Sequence, residues 1–209
     1  MAINKTIFTA DRTAQKGEIF NWLKANAEDY FDEITQNADG NIVCSLESGA
    51  ELQFIFDTTV TTYTIKTKTG NTHTVYGGNS PASYTKPGIV TSNGIMLIGN
   101  TSTSSIENYV IISKTKANST ALAMCIKTSS ANTSYSYFID LNNDAEWLGR
   151  SVAAQAYSVP VTSVAPAAFS SGNYCEHVFF TPFTQFTEPC IMQLNGKKYA
   201  YGGYIALEE

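Results

Sequence analysis

The hydrophobic pattern of the chain changes period near residue 41. Upstream, Ile19, Phe20, Leu23, Ala27, Tyr30, Phe31 and Ile34 fall at the three-, four- and seven-residue spacings of one stripe of an amphipathic helix. Lys16, Lys24, Glu28, Asp32 and Glu33 occupy the opposite face. Asp11 and Thr13 are candidate N-caps, and Asn37 and Gly40 offer a stop. The spacing predicts one helix over roughly 12–37, with a first turn weakened by Gly17. Such a stripe either covers a sheet of its own chain or packs against copies of itself. Phe20, Leu23, Tyr30, Phe31 and Ile34 are therefore the candidate interaction residues.

Downstream the period is two. Ile42, Cys44 and Leu46 alternate with Val43, Ser45 and Glu47. Leu52, Phe54 and Phe56 alternate with Gln53 and Ile55, and Ser48-Gly49 between the two runs reads as a hairpin turn. A further strand is predicted over 60–68 (TTYTIKTK in its body), with Tyr63, Ile65 and Thr67 on one face. A turn at 69–71 follows, and 72–76 pairs back. GGNSPASYTKPG at 77–88 is a loop by composition and the best internal boundary, although the same strand style resumes at Ile89. Strands are then predicted at 95–98, 109–113, 121–127 and 134–141, joined by turn-forming segments rich in Ser, Thr and Asn.

The last third is less regular. Trp147-Leu148-Gly149 is expected to cap a short helical turn. Pro160 and Pro166 exclude a central strand, so the Ala/Pro-rich stretch near 152–169 is read as an extended arm or crossover connection. Strand returns over 174–181 and 183–186. A hairpin joins 191–194 to 197–207 through Asn195-Gly196, and Gly202-Gly203 within the last strand reads as a bulge or a close backbone approach. These elements predict a mainly β chain. An N-terminal helical segment over 1–40, for attachment or oligomerisation, precedes an antiparallel β-sandwich or jelly-roll-like domain over 41–209.

Composition narrows the class. The 209 residues include 25 Thr, 19 Ser, 12 Tyr and 11 Phe, but only 15% charged residues, against a usual ~25%. Hydroxyl and aromatic side chains suit solvated sheet faces and argue against disorder. Net charge is −5. Residues 1–57 carry 4 basic and 10 acidic side chains, and the remainder 9 and 8. No basic patch forms, so no nucleic-acid partner is expected. Apolar runs such as Ile95 to Ile98 fall far short of the ~18 residues of a membrane span, so no membrane partner is expected either. The opening MAINKTIFTADR lacks the apolar stretch of a secretory signal, which points to folding in a cytoplasm.

Candidate chemistry is sparse. Cys44, Cys125, Cys175 and Cys190 match no zinc or redox spacing and read as buried small hydrophobes. A Cys175–Cys190 disulfide is the alternative. His73 reads as a surface histidine. Cys175 and His177 on one strand face would stand ~7 Å apart, too far for a nucleophile and its base. Asp140, Asn142, Asp144 and Glu146 place oxygen ligands at alternate positions, as calcium loops do. Ala145 and Ser151 stand where such a loop wants Gly and Glu, which favours ordinary turn chemistry. The carboxylates at 28/29 and 32/33 read as a solvated helix face. No catalytic residue, metal or cofactor site is expected, and the chain is read as a non-enzyme.

EIFNWLKANAEDYFDEI near the start, NYVIISKTKANSTALAMCI followed by SYSYFIDL, and the closing LNGKKYAYGGYIALEE together resemble the small virion structural proteins of tailed bacteriophages of Gram-positive bacteria. The resemblance implies a neck or collar, head-decoration or tail component. It also implies symmetric assembly with copies of itself and other virion proteins, a final place in the virion after assembly in the host cytoplasm, and no enzyme activity. It transfers no functional residue. The alternative from the residues alone is a module that binds host-surface glycan, with Tyr84 or Tyr157 stacking sugar rings.

Overall fold

The computed structural model describes residues 3–9, 11–56, 60–79, 87–102, 105–114, 118–128, 133–142, 145–152, 178–180, 190–194, 196–201 and 205–209. In chain order these form β1 (Asn4–Ile7), α1 (Arg12–Asn26), β2 (Glu33–Gln36), β3 (Ile42–Ser45), β4 (Glu51–Phe56), β5 (Val60–Lys66) and β6 (Thr72–Asn79). Then come β7 (Pro87–Val90), β8 (Gly94–Ser102), β9 (Ser105–Lys114), β10 (Thr120–Thr128), β11 (Thr133–Asp140) and β12 (Ala145–Val152). The last are β13 (Val178–Phe180), β14 (Cys190–Leu194), β15 (Lys197–Tyr201) and β16 (Ile205–Glu208). The chain is mainly β, with antiparallel sheets and a helix near the N-terminus.

Asp11 is the N-cap. Its Oδ1 accepts from the Thr13 and Ala14 backbone N–H groups at 2.9 and 3.1 Å, satisfying two of the donors a helix start leaves open. Gln15, Ile19, Trp22 and Leu23 form the buried stripe. Gln15 is satisfied there, because its Nε2 donates to the Thr9 carbonyl at 2.6 Å.

The helix ends at Asn26 rather than near 37. The Ala27 N–H closes on the Leu23 carbonyl, and residues 28–30 turn the chain. Ile34 then stands in β2 opposite Cys44 of β3. Phe31 and Ile34 are buried at helical spacing from Ala27, but sheet pairing buries Ile34.

The five-stranded sheet runs β2-β3-β4-β5-β6, and its buried face is the alternation read from sequence. Ile34, Cys44, Leu52 and Ile65 form one cross-strand row. Ile42, Phe54 and Tyr63 form another, and the Phe54 and Tyr63 rings meet edge to face at 5.4 Å. Tyr63, Ile65 and Thr67 share the buried side as expected. The hairpins close where predicted, on Gly49 (φ +86°) and Gly70 (φ +90°), a region that disfavours side chains with a Cβ.

The seven-stranded sheet runs β1-β7-β8-β9-β10-β11-β12. From β7 onward it is a meander, so consecutive strands are neighbours. Ile95, Leu97, Val110, Ile112, Leu122 and Ile139 from this sheet join α1 and the five-stranded sheet in one hydrophobic cluster. Residues 1–40 are thus tied into the sheets. β1 pairs with β7 and β2 with β3, and α1 sits in the shared core.

Two late expectations change. Trp147-Leu148-Gly149 lies in β12, paired with Phe138, Tyr137 and Ser136 of β11, so it is strand and not a helical turn. The single strand expected over 197–207 is two antiparallel strands, β15 and β16, with Tyr201 opposite Ala206. Gly202 and Gly203 lie outside the described residues. β13-β16-β15-β14 make a four-stranded sheet. Asn93 Nδ2, between β7 and β8, donates to the Glu208 carbonyl at 3.3 Å and ties this sheet to the seven-stranded one.

Candidate functional site

The stripe residues are taken up by the chain itself. Leu23, Phe31 and Ile34 are 0, 4 and 5% exposed, and Phe20 and Tyr30 are half-buried against the same cluster. Of the two uses open to the stripe, the structure shows it covering the chain's own sheet. Trp22, which the stripe omitted, is buried edge to face against Phe8 at 5.6 Å.

The carboxylates expected on the helix instead crowd the loop after it. Glu28, Asp29, Tyr30, Phe31, Asp32, Leu46 and Glu47, with Lys114, Thr120 and Asn142, line a cleft of about 300 Å³. A second cleft of about 450 Å³ continues past Lys24, Glu33 and Ile34. Three contacts set the loop. The Asp32 N–H donates to the Ser45 carbonyl at 3.0 Å. Asp32 Oδ2 accepts from the Glu47 N–H at 2.7 Å. Thr120 Oγ1 donates to the Tyr30 carbonyl at 2.5 Å.

Lys114 stands with its ammonium 5.4 Å from the centre of the Tyr30 ring, within cation–π range. Partial burial pushes its pKa down, and Asp29 and Asp32 pull it back up. The corner is acidic with a cation across it. Among the described residues, no three His, Cys, Asp or Glu converge to hold a metal.

Asp140 is turn chemistry, as expected. Its Oδ1 accepts from Ser119 Oγ at 2.9 Å and from the Asn142 N–H at 3.1 Å. Asp144 lies outside the described residues, and Glu146 falls at the start of β12. Cys44 is fully buried, and burial pushes its thiol up to about 12, which removes it as a nucleophile near neutral pH. His73 is in β6, opposite Ile65, and Cys125 and Cys190 are in β10 and β14. Cys175, Glu176, His177, Tyr84, Tyr157 and the arm beyond Val152 lie outside the described residues.

The sheets end on open edges among the described strands: β1 and β12, β2 and β6, β13 and β14. β6 also lies against β8 and β9. No helix among the described residues is long and apolar enough to cross a membrane. Comparison with family models, with curated proteins and with solved structures finds no match.

Proposed function

We propose that this chain is a non-enzymatic structural protein of a tailed-phage particle, whose copies associate and dock on other virion proteins. The sequence segments quoted above support the phage assignment. One structural observation carries the self-association. β12 presents eight residues, Ala145–Val152, at the end of the seven-stranded sheet, and no described strand pairs with its outer side. An open edge of this length presents a row of unpaired N–H and C=O groups that can recruit a further strand. A chain that works only in multiple copies has a use for such an edge.

The test is light scattering on the full-length chain after size-exclusion chromatography. A mass at a multiple of 22.7 kDa is the expected result. A 22.7 kDa species throughout, up to ~100 µM in the micromolar range typical of weak complexes, would contradict the proposal.

A further inference from the structure

We infer that two copies of this chain join along β12, strand to strand, about a two-fold axis centred on Leu148. The inference rests on the self-association proposed above and names its contact. β11 occupies one side of β12 from Ala145 to Val152, and no described strand occupies the other.

The occupant is argued from the sequence of the strand itself. In a two-fold antiparallel pair, each position meets its mirror image about the centre. With the centre on Leu148, Glu146 stands opposite Arg150 of the second copy, and Arg150 opposite its Glu146. Two opposite-charge pairs therefore flank the axis, the arrangement that stabilises cross-strand neighbours. In the same register Trp147 stands opposite Gly149 of the second copy.

Strand alternation puts Glu146, Leu148 and Arg150 on one face and Trp147 and Gly149 on the other. A shift of one residue destroys the match. Centred on Trp147, Glu146 meets Leu148; centred on Gly149, it meets Val152.

No other edge strand offers this. β1 carries only Lys5 and β2 only Glu33, while β6, β13 and β14 carry no Asp, Glu, Lys or Arg. Joined this way, the two seven-stranded sheets run on as one.

Charge exchange in the full-length chain, read by sedimentation equilibrium, is the test. Glu146→Arg and Arg150→Glu each set like charges opposite one another on both sides of the axis. Each is expected to raise the dissociation constant roughly tenfold, with two cross-strand pairs turned from attractive to repulsive. The double variant Glu146→Arg/Arg150→Glu restores opposite charges and is expected to return the parent's affinity.

Leu148→Cys gives a second readout that does not depend on charge or on the folding of those variants. Directly opposed Cα atoms lie ~4.5–5.5 Å apart, within disulfide reach. Mild oxidation is therefore expected to link copies through position 148, identified by peptide mass spectrometry. An oligomeric parent that ignores both reversals and gives no link at 148 overturns this inference alone. So do reversals that weaken association when the double variant, with parental circular dichroism, fails to restore it. A parent monomeric at every concentration overturns the self-association beneath it.

Discussion

Thr120 Oγ1 donates a 2.5 Å hydrogen bond to the carbonyl of Tyr30, 90 residues away in the chain. Tyr30 lies in the turn between α1 and β2, and Thr120 opens β10. One side-chain bond therefore joins the two larger sheets at the acidic corner. Thr120 is 1% exposed, and Tyr30 is half-buried beside it. Thr120→Val keeps the shape and removes the donor. It is expected to lower the unfolding free energy by about 0.5–1.5 kcal/mol, the net contribution of one intramolecular hydrogen bond. Urea titration with an unchanged midpoint and slope would contradict the role of this bond.

Tyr63 makes the opposite case. Its ring packs on Phe54, but its hydroxyl is buried with no hydrogen-bond partner among the described residues. Burial drives its pKa above the ordinary phenol value, with Arg12 pulling the other way. Tyr63→Phe removes the isolated polar atom and keeps the ring. The variant is expected to be as stable as the parent or up to about 2 kcal/mol more stable. A melting temperature several degrees lower would show that the hydroxyl has a partner.

Cys44 links burial to pH. Its native thiol is held at about 12, against an ordinary 9.0. The folded chain therefore keeps this proton where the unfolded chain releases it. The contribution to stability is unchanged below pH 9, falls as pH rises past 9, and goes on falling to about 12. Melting temperature is expected to decline across that window. Iodoacetamide at pH 8, followed by peptide-resolved mass spectrometry, is expected to leave Cys44 unmodified in the native chain and to label it in urea. Equal labelling in both states would contradict the burial.

Gly17 sits inside α1, and a Cβ built on it meets no atom within 4 Å. Nothing in the packing requires a glycine there. Gly17→Ala is expected to stabilise the chain by about 0.5–1 kcal/mol through the lower backbone entropy of alanine when unfolded. A loss of stability in thermal melting would contradict it.

The sequence was most readable where one face of a strand is buried and the other wet. From Ile42 to Thr67 the alternation names the core side chains, and Gly49 and Gly70 mark the turns, because only positive φ closes those hairpins. The helix start was readable too, since Asp11 caps it through local bonds. Its end was not. Tyr30, Phe31 and Ile34 continue a helical spacing from Ala27 by coincidence, while Ile34 is committed to Cys44 across a sheet.

Trp147 and Leu148 were missed as strand because Gly149 and the acidic turn before them hid the alternation. Of the acidic corner, only the carboxylates were visible. Lys114 and Thr120 arrive from a different sheet, and no local pattern announces a bond to a backbone carbonyl. The β12 edge is legible as a surface only after its register is known, because the match of Glu146 to Arg150 has meaning only across two antiparallel copies.

Hydrogen exchange at the β12 amides, followed from dilute to concentrated full-length chain, tests the pairing of copies most directly. Edge pairing predicts that exchange of the β12 amides facing away from β11 slows as concentration rises, while the amides of β10, already paired on both sides within the chain, keep their rates. Exchange at β12 that stays the same at every concentration would contradict it.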